Sequence, residues 1–146
     1  MRCAALNNNT AITLMELNRF NEAAEYFKKA LSILASNKGS ELEQAATYCN
    51  LADLAYARVC QEEKEKSVYK FNETETINED LDIEIKGYLR KAENLFDAEG
   101  LERDGYYAFY CEKCAPSFGY FGLPKTEKKL LARAEAIREK IAGKEN

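Results

Sequence analysis

Apolar residues recur at helical spacing along most of the chain. Near the C-terminus the apolar positions are four, three and four residues apart, so they form one stripe on a helix. These positions are Leu130, Ala134, Ile137 and Ile141. A similar stripe near the N-terminus consists of Ala23, Phe27, Ala30 and Leu34. No segment alternates between apolar and polar residues at period two, so the pattern predicts an all-α chain without strands.

Boundary signals divide this pattern into six predicted helices. Ser40 and Glu43 have the spacing of a capping box, which opens a helix. Asn78 is a suitable N-cap. Gly122 and Pro124 mark the end of one helix and the start of the next. The predicted helices span about 3–17, 20–35, 40–64, 78–98, 101–121 and 124–142.

Composition and charge narrow the class of function. The chain has 21 Lys and Arg against 25 Asp and Glu, a net charge of -4, which is unlike the basic field of a nucleic-acid binder. No apolar run approaches the ~20 residues of a membrane span, so we expect no membrane contact. Histidine is absent, which removes Ser-His-Asp and Cys-His activation and the HExxH zinc helix. We therefore expect no enzyme activity, no catalytic residues, no cofactor and no metal.

The five cysteines lie within helical patterns rather than in a loop-rich scaffold, which favours a reducing, cytoplasmic location. Cys111 and Cys114 are spaced like a metal or redox pair. A structural zinc site needs four ligands, and the chain offers one such pair and no histidine. Core packing is the favoured interpretation of the pair, with thiol redox chemistry and metal binding as the alternatives.

Aromatic residues crowd positions 106–121, and one helix face cannot hold them all. They are Tyr106, Tyr107, Phe109, Tyr110, Phe118, Tyr120 and Phe121. Two interpretations stay open: contacts within the core and with the next helices, or an aromatic platform for a peptide or protein partner.

The segment from Asn18 to Leu31, NRFNEAAEYFKKAL, resembles the second half of a tetratricopeptide repeat. In that family, small residues facing each other let the two helices of a hairpin approach closely. The matching pairs are Ala11 with Ala30, Ala52 with Ala92, and Ala115 with Ala134. The spacing between repeats is similar to that of the long-period variant, about 42 residues, rather than the usual form.

This resemblance implies a right-handed superhelical stack of three helix-turn-helix hairpins in a single domain, residues 1–146. Repeat 1 would span about 3–36, repeat 2 about 40–98 and repeat 3 about 101–142. The second repeat would contain an insertion at about 58–79. Because the chain begins within the repeat pattern, we expect it to be part of a longer array.

The insertion lies in an acidic part of the chain: residues 61–86 contain nine acidic residues against four lysines. One interpretation is an extended helix end followed by a solvated loop. The other is an acidic arm that meets a basic partner.

The resemblance also implies that the first helix of each repeat lines a concave face that binds extended peptides or helices. The residues placed on this face are Asn8, Ile12, Met15, Cys49, Asn50, Asp53, Tyr56, Phe109, Glu112 and Tyr120. The carboxylate clamp of one subfamily is not expected, since Asn8 and Ile12 occupy the places of its Lys and Asn. Asp53 and Glu112 on this face favour a mixed apolar and basic segment instead.

The sequence therefore predicts a non-catalytic scaffold that binds a protein or peptide through the concave face. The first alternative is a structural or self-associating segment, whose exposed ends stack on further repeats or on a second copy. The second alternative is a thiol redox element at Cys111 and Cys114.

Overall fold

The structure, a computed structural model, describes residues 2–67 and 78–145. Its six helices are α1 (Arg2–Glu16), α2 (Phe20–Ala35), α3 (Glu41–Ser67), α4 (Glu79–Phe96), α5 (Gly105–Tyr120) and α6 (Pro124–Glu145). No strand occurs in these two stretches. The prediction of an all-α chain is confirmed.

The helices pack in sequential pairs, α1 on α2, α3 on α4 and α5 on α6. The long helix α3 joins the pairs, because it also contacts α1, α2 and α5. A single hairpin leaves part of its apolar surface uncovered, and the first and third hairpins bury that surface against α3.

The alanines of the three predicted pairs are all buried. Their exposed fractions are 0–1% for Ala11, Ala30, Ala52, Ala92, Ala115 and Ala134. Larger side chains fill the space around them, the largest being Tyr107, Phe27, Phe96 and Phe118. Small residues allow helices to approach, and the bulky neighbours occupy the gaps beside them.

Local signals explain most helix ends. The side chain of Asn78 accepts a hydrogen bond from the backbone N–H of Asp80 at 3.1 Å, so the predicted cap of α4 is confirmed. Gly122 has φ +83°, and the N–H of Leu123 bonds to the carbonyl of Phe118 at 2.8 Å, which closes α5 in a Schellman-type turn.

Two local predictions are wrong. α5 begins at Gly105 and not at 101, because Asp104 caps it through the N–H of Tyr107 at 3.0 Å. α3 does begin beside Ser40, but no capping box forms. The buried Ser40 hydroxyl binds the carbonyls of Leu34 and Asn37 at the end of α2 instead.

The predicted insertion is partly helical. Its first residues continue α3 as far as Ser67, as the helix-extension interpretation expected. The loop predicted to follow, at 68–77, lies outside the described residues. At the C-terminus α6 carries the predicted stripe, but Ile141 is 38% exposed, so the stripe is buried only in its first half.

Candidate ligand groove

A groove of about 400 Å³ opens between α1, α3 and α5, the first helices of the three hairpins. Its apolar lining includes Ala5, Ile12 and Ala46. Its polar lining consists of Asn8, Asn9, Glu43, Asn50, Tyr106, Tyr110 and Lys113. Ligand sites typically combine an apolar surface with a few polar groups in this way.

Three of the predicted partner-binding residues line this groove: Asn8, Ile12 and Asn50. The Asn8 amide donates a hydrogen bond to the hydroxyl of Thr47 on α3 at 3.0 Å. The half-buried side chain of Asn50 takes part in no hydrogen bond within the described parts of the chain. Its amide therefore has both donors and its acceptor available to a ligand.

Cys49 and Met15 belong to the packed interior. Cys49 is 3% exposed, and its thiol lies beside that of Cys114. Met15 is half-buried and packs against the cluster that contains Leu51 and Leu54. The structure thus places Cys49 out of reach of a ligand.

The remaining predicted aromatic residues lie beyond the groove. Tyr56 forms edge contacts with Tyr120 and Phe121, with ring centroids 5.6 Å and 5.5 Å apart. Phe109 is 50% exposed and its ring contacts Tyr110, which lines the groove. The aromatic residues of α5 therefore lie in three places: the groove lining (Tyr106 and Tyr110), the core (Tyr107 and Phe118) and the exposed surface (Phe109 and Tyr120).

The two predicted acidic residues differ in their surroundings. Glu112 is exposed and forms a two-pronged ion pair with Arg138 on α6, at 3.0 and 3.2 Å. The hydrogen bond from Arg138 lowers the pKa of Glu112. Asp53 lies one helical turn beyond Asn50 on α3, and burial raises its pKa from 3.8 to about 6. Asp53 is thus the one of the two that lacks a cationic partner in the described structure.

The residues predicted for the concave face did not include Glu43, Tyr106, Tyr110 or Lys113, although Tyr106 and Tyr110 belong to the aromatic cluster that was one candidate platform for a partner. Glu43 was assigned to a capping box, yet its Oε1 accepts a hydrogen bond from the Tyr106 hydroxyl at 2.6 Å. Burial raises the pKa of Tyr106 and the bond to Glu43 raises it further, so this hydroxyl stays protonated. The Lys113 ammonium lies 5.6 Å from the ring centroid of Tyr110.

The cysteine pair suggested by spacing is buried. Cys111 and Cys114 are 0% and 1% exposed, and burial raises the pKa of Cys111 to about 11. A protonated, shielded thiol is a poor nucleophile and a poor metal ligand. Within residues 2–67 and 78–145, no cluster of three His, Cys, Asp or Glu side chains is arranged to hold a metal ion.

No protein-family model, curated protein or solved structure matches this chain. Among the described helices, none is both long enough and apolar enough to span a bilayer.

Proposed function

We propose that this chain is a non-catalytic scaffold that binds a segment of another protein in the groove between α1, α3 and α5. The observation that carries the proposal is the groove itself, about 400 Å³ in volume and lined by the first helix of every hairpin together with Leu34 of α2. Its lining suits an extended segment, since it combines small side chains with amides able to bond a peptide backbone.

A tetratricopeptide-like arrangement, a right-handed superhelical stack, is part of this proposal. The sequential pairing of the helices and the complete burial of the six pair alanines support it. In such a stack the first helices share one face, which is the face that holds the groove.

Binding in this groove would need little rearrangement of α1 relative to α3. Asn8 is held by Thr47, whose hydroxyl also donates to the carbonyl of Glu43 at 2.9 Å. Asn50 presents an amide that has no hydrogen-bond partner among the described residues, and such groups favour ligands that restore hydrogen bonding. A cytoplasmic location is likewise proposed, supported by five cysteines that are all free thiols.

A second candidate function is self-association through the ends of the stack. Large apolar side chains are exposed at both ends of the chain: Leu6 on α1 and Leu17 just after it, and Leu131 and Ile141 on α6. Exposed apolar patches mark interaction surfaces. Light scattering at several concentrations tests this candidate, and Leu131→Glu should convert any dimer to a monomer.

The groove is tested by selecting binders from a displayed library of random peptides and measuring their affinity for groove variants. Ala5→Trp adds a large side chain at an exposed position of the lining. Leu6→Trp places the same ring on the neighbouring residue, which is exposed and does not line the groove. Selected peptides should lose at least tenfold in affinity with Ala5→Trp and keep it with Leu6→Trp. Equal affinity for both variants would contradict binding in the groove.

A further inference from the structure

The groove is lined by the carboxylate of Glu43, which forms no ion pair with a cation among the described residues. The acidic corner, as we call it, is formed by Glu43, Tyr106 and Tyr110. Tyr106 donates to Oε1 of Glu43, but Oε2 is buried without a hydrogen-bond partner in the described structure. A charged oxygen removed from water and left unpaired is costly, so this corner is stabilised by any donor that reaches it.

The nearby cation of the groove does not supply that partner. Lys113 lies over the Tyr110 ring, and no ion pair between it and Glu43 occurs among the described residues. Lys113 and Tyr106 are seven residues apart on α5, about 10 Å along the helix axis. The groove lining therefore contains the carboxylate of Glu43 and the ammonium of Lys113, which form no ion pair with each other in the described parts of the chain.

Glu43 and Tyr106 of the acidic corner line the groove, but Oε2 itself is buried. Tyr106 is 49% exposed, so a shift of its ring toward solvent is the movement that would open Oε2 to an entering group. Its ring and that of Tyr110 are in edge contact, with centroids 5.0 Å apart. Aromatic rings beside a carboxylate favour a cationic side chain, because ring faces and carboxylates both attract positive charge.

We propose that the acidic corner binds a lysine or arginine side chain of an extended segment belonging to a separate protein. This proposal rests on the proposed function and adds the chemistry of the ligand. The charge at Glu43 selects the cation, while Lys113 and Asn50 lie about two helical turns further along α5 and α3 and meet an acceptor elsewhere on the segment. Arginine fits best, since its planar guanidinium can bond a carboxylate and lie against an aromatic ring.

The test uses N-acetylarginine methylamide and its neutral isostere N-acetylcitrulline methylamide, titrated into the ¹⁵N-labelled chain. Amide shifts should cluster at Glu43, Ala46 and Tyr106 with the arginine probe. The citrulline probe should bind at least tenfold more weakly, and added salt should weaken the arginine probe alone.

Two variants test whether the amide shifts caused by the arginine probe depend on the Glu43 carboxylate. Glu43→Gln keeps an acceptor for the Tyr106 hydroxyl, so it leaves the fold intact, and it should lower the affinity of the arginine probe about tenfold. Glu135→Gln makes the same charge change at an exposed position of α6 outside the groove and should have no effect. Amide shifts spread over the first turn of α4, which contains Glu79, Asp80 and Asp82, would overturn the proposal. Shifts that Glu43→Gln leaves unchanged would overturn it as well.

Two further outcomes separate this proposal from the proposed function. Library peptides that depend on the groove but not on a basic residue or on Glu43 would overturn the ligand chemistry and leave the function standing. A dimer of the chain that Glu43→Gln dissociates would assign the acidic corner to a second copy, and would likewise overturn a separate partner.

Discussion

Tyr107 links the second and third hairpins, and the variant Tyr107→Phe tests how that link is held. The side chain is 0% exposed. Its hydroxyl donates to the carbonyl of Phe96 at the end of α4 and accepts from Arg133 of α6, both at 3.0 Å. The hydroxyl of Tyr107 on α5 therefore connects α4 and α6. Arg133 also forms an ion pair with Asp97 at 2.7 Å.

The size of the effect follows from these contacts. Tyr107→Phe keeps the ring and its edge contact with Phe96, with centroids 5.8 Å apart, and removes only the hydroxyl. A typical hydrogen bond contributes about 1 kcal/mol net, and one to a charged group about 1.5–3 kcal/mol. Arg133 retains Asp97, which limits the loss. We expect the free energy of unfolding to fall by about 2 kcal/mol and Tm by about 5 °C.

Urea denaturation followed by far-ultraviolet circular dichroism measures this loss. The matched control is Tyr26→Phe, because Tyr26 is half-buried and its hydroxyl makes no hydrogen bond within the described residues. The control should change the free energy of unfolding by less than about 0.5 kcal/mol. A Tyr107→Phe variant as stable as the control would refute the argument that this hydroxyl holds the two hairpins together.

Three further predictions concern acidity, thiols and packing. Asp53→Asn should stabilise the chain at pH 7.5 but not at pH 4. The pKa of Asp53 is raised to about 6 in the folded chain, so the unmodified protein loses stability as the pH rises from about 4 through 6. The two pKa values correspond to at most about 3 kcal/mol, which solvent screening of the half-buried carboxyl reduces to about 1–2 kcal/mol; thermal melts of both proteins across this range measure it. A thiol reagent should label Cys3 quickly and Cys60 more slowly in the folded chain, and reach the three buried cysteines only after denaturation; fast labelling of four or five would contradict the packing. Ala52→Leu should cost about 1–3 kcal/mol by overpacking, measured by urea denaturation, whereas Ala136→Leu on the exposed face of α6 should be near neutral.

The helices were predictable from the sequence because their signals are local. The stripe of α2 and the cap at Asn78 depend on residues within a few positions of one another, and both are present in the structure. The start of α5 was missed because the run before it is also compatible with a helix. Only the bond from the N–H of Tyr107 to Asp104 selects the observed start.

The groove was only partly predictable because its chemistry depends on distant residues. Glu43 and Tyr106 are 63 positions apart, so no local pattern reveals their hydrogen bond. The same difficulty affects Glu112, which the sequence offers as a free acid, but which Arg138 of the next helix neutralises. Register along a helix identifies a face, and the partners of each side chain on that face follow only from packing.

The short chain of hydrogen bonds from Asn8 through Thr47 to the Glu43 carbonyl ties α1 to α3 at the groove. Thr47 is 0% exposed, so this tether is sheltered from competing water. The separation of α1 and α3 is thus fixed before a ligand binds between them. A ligand would then lose little of its binding free energy to ordering α1 and α3, which favours the binding of even a short, weakly interacting sequence.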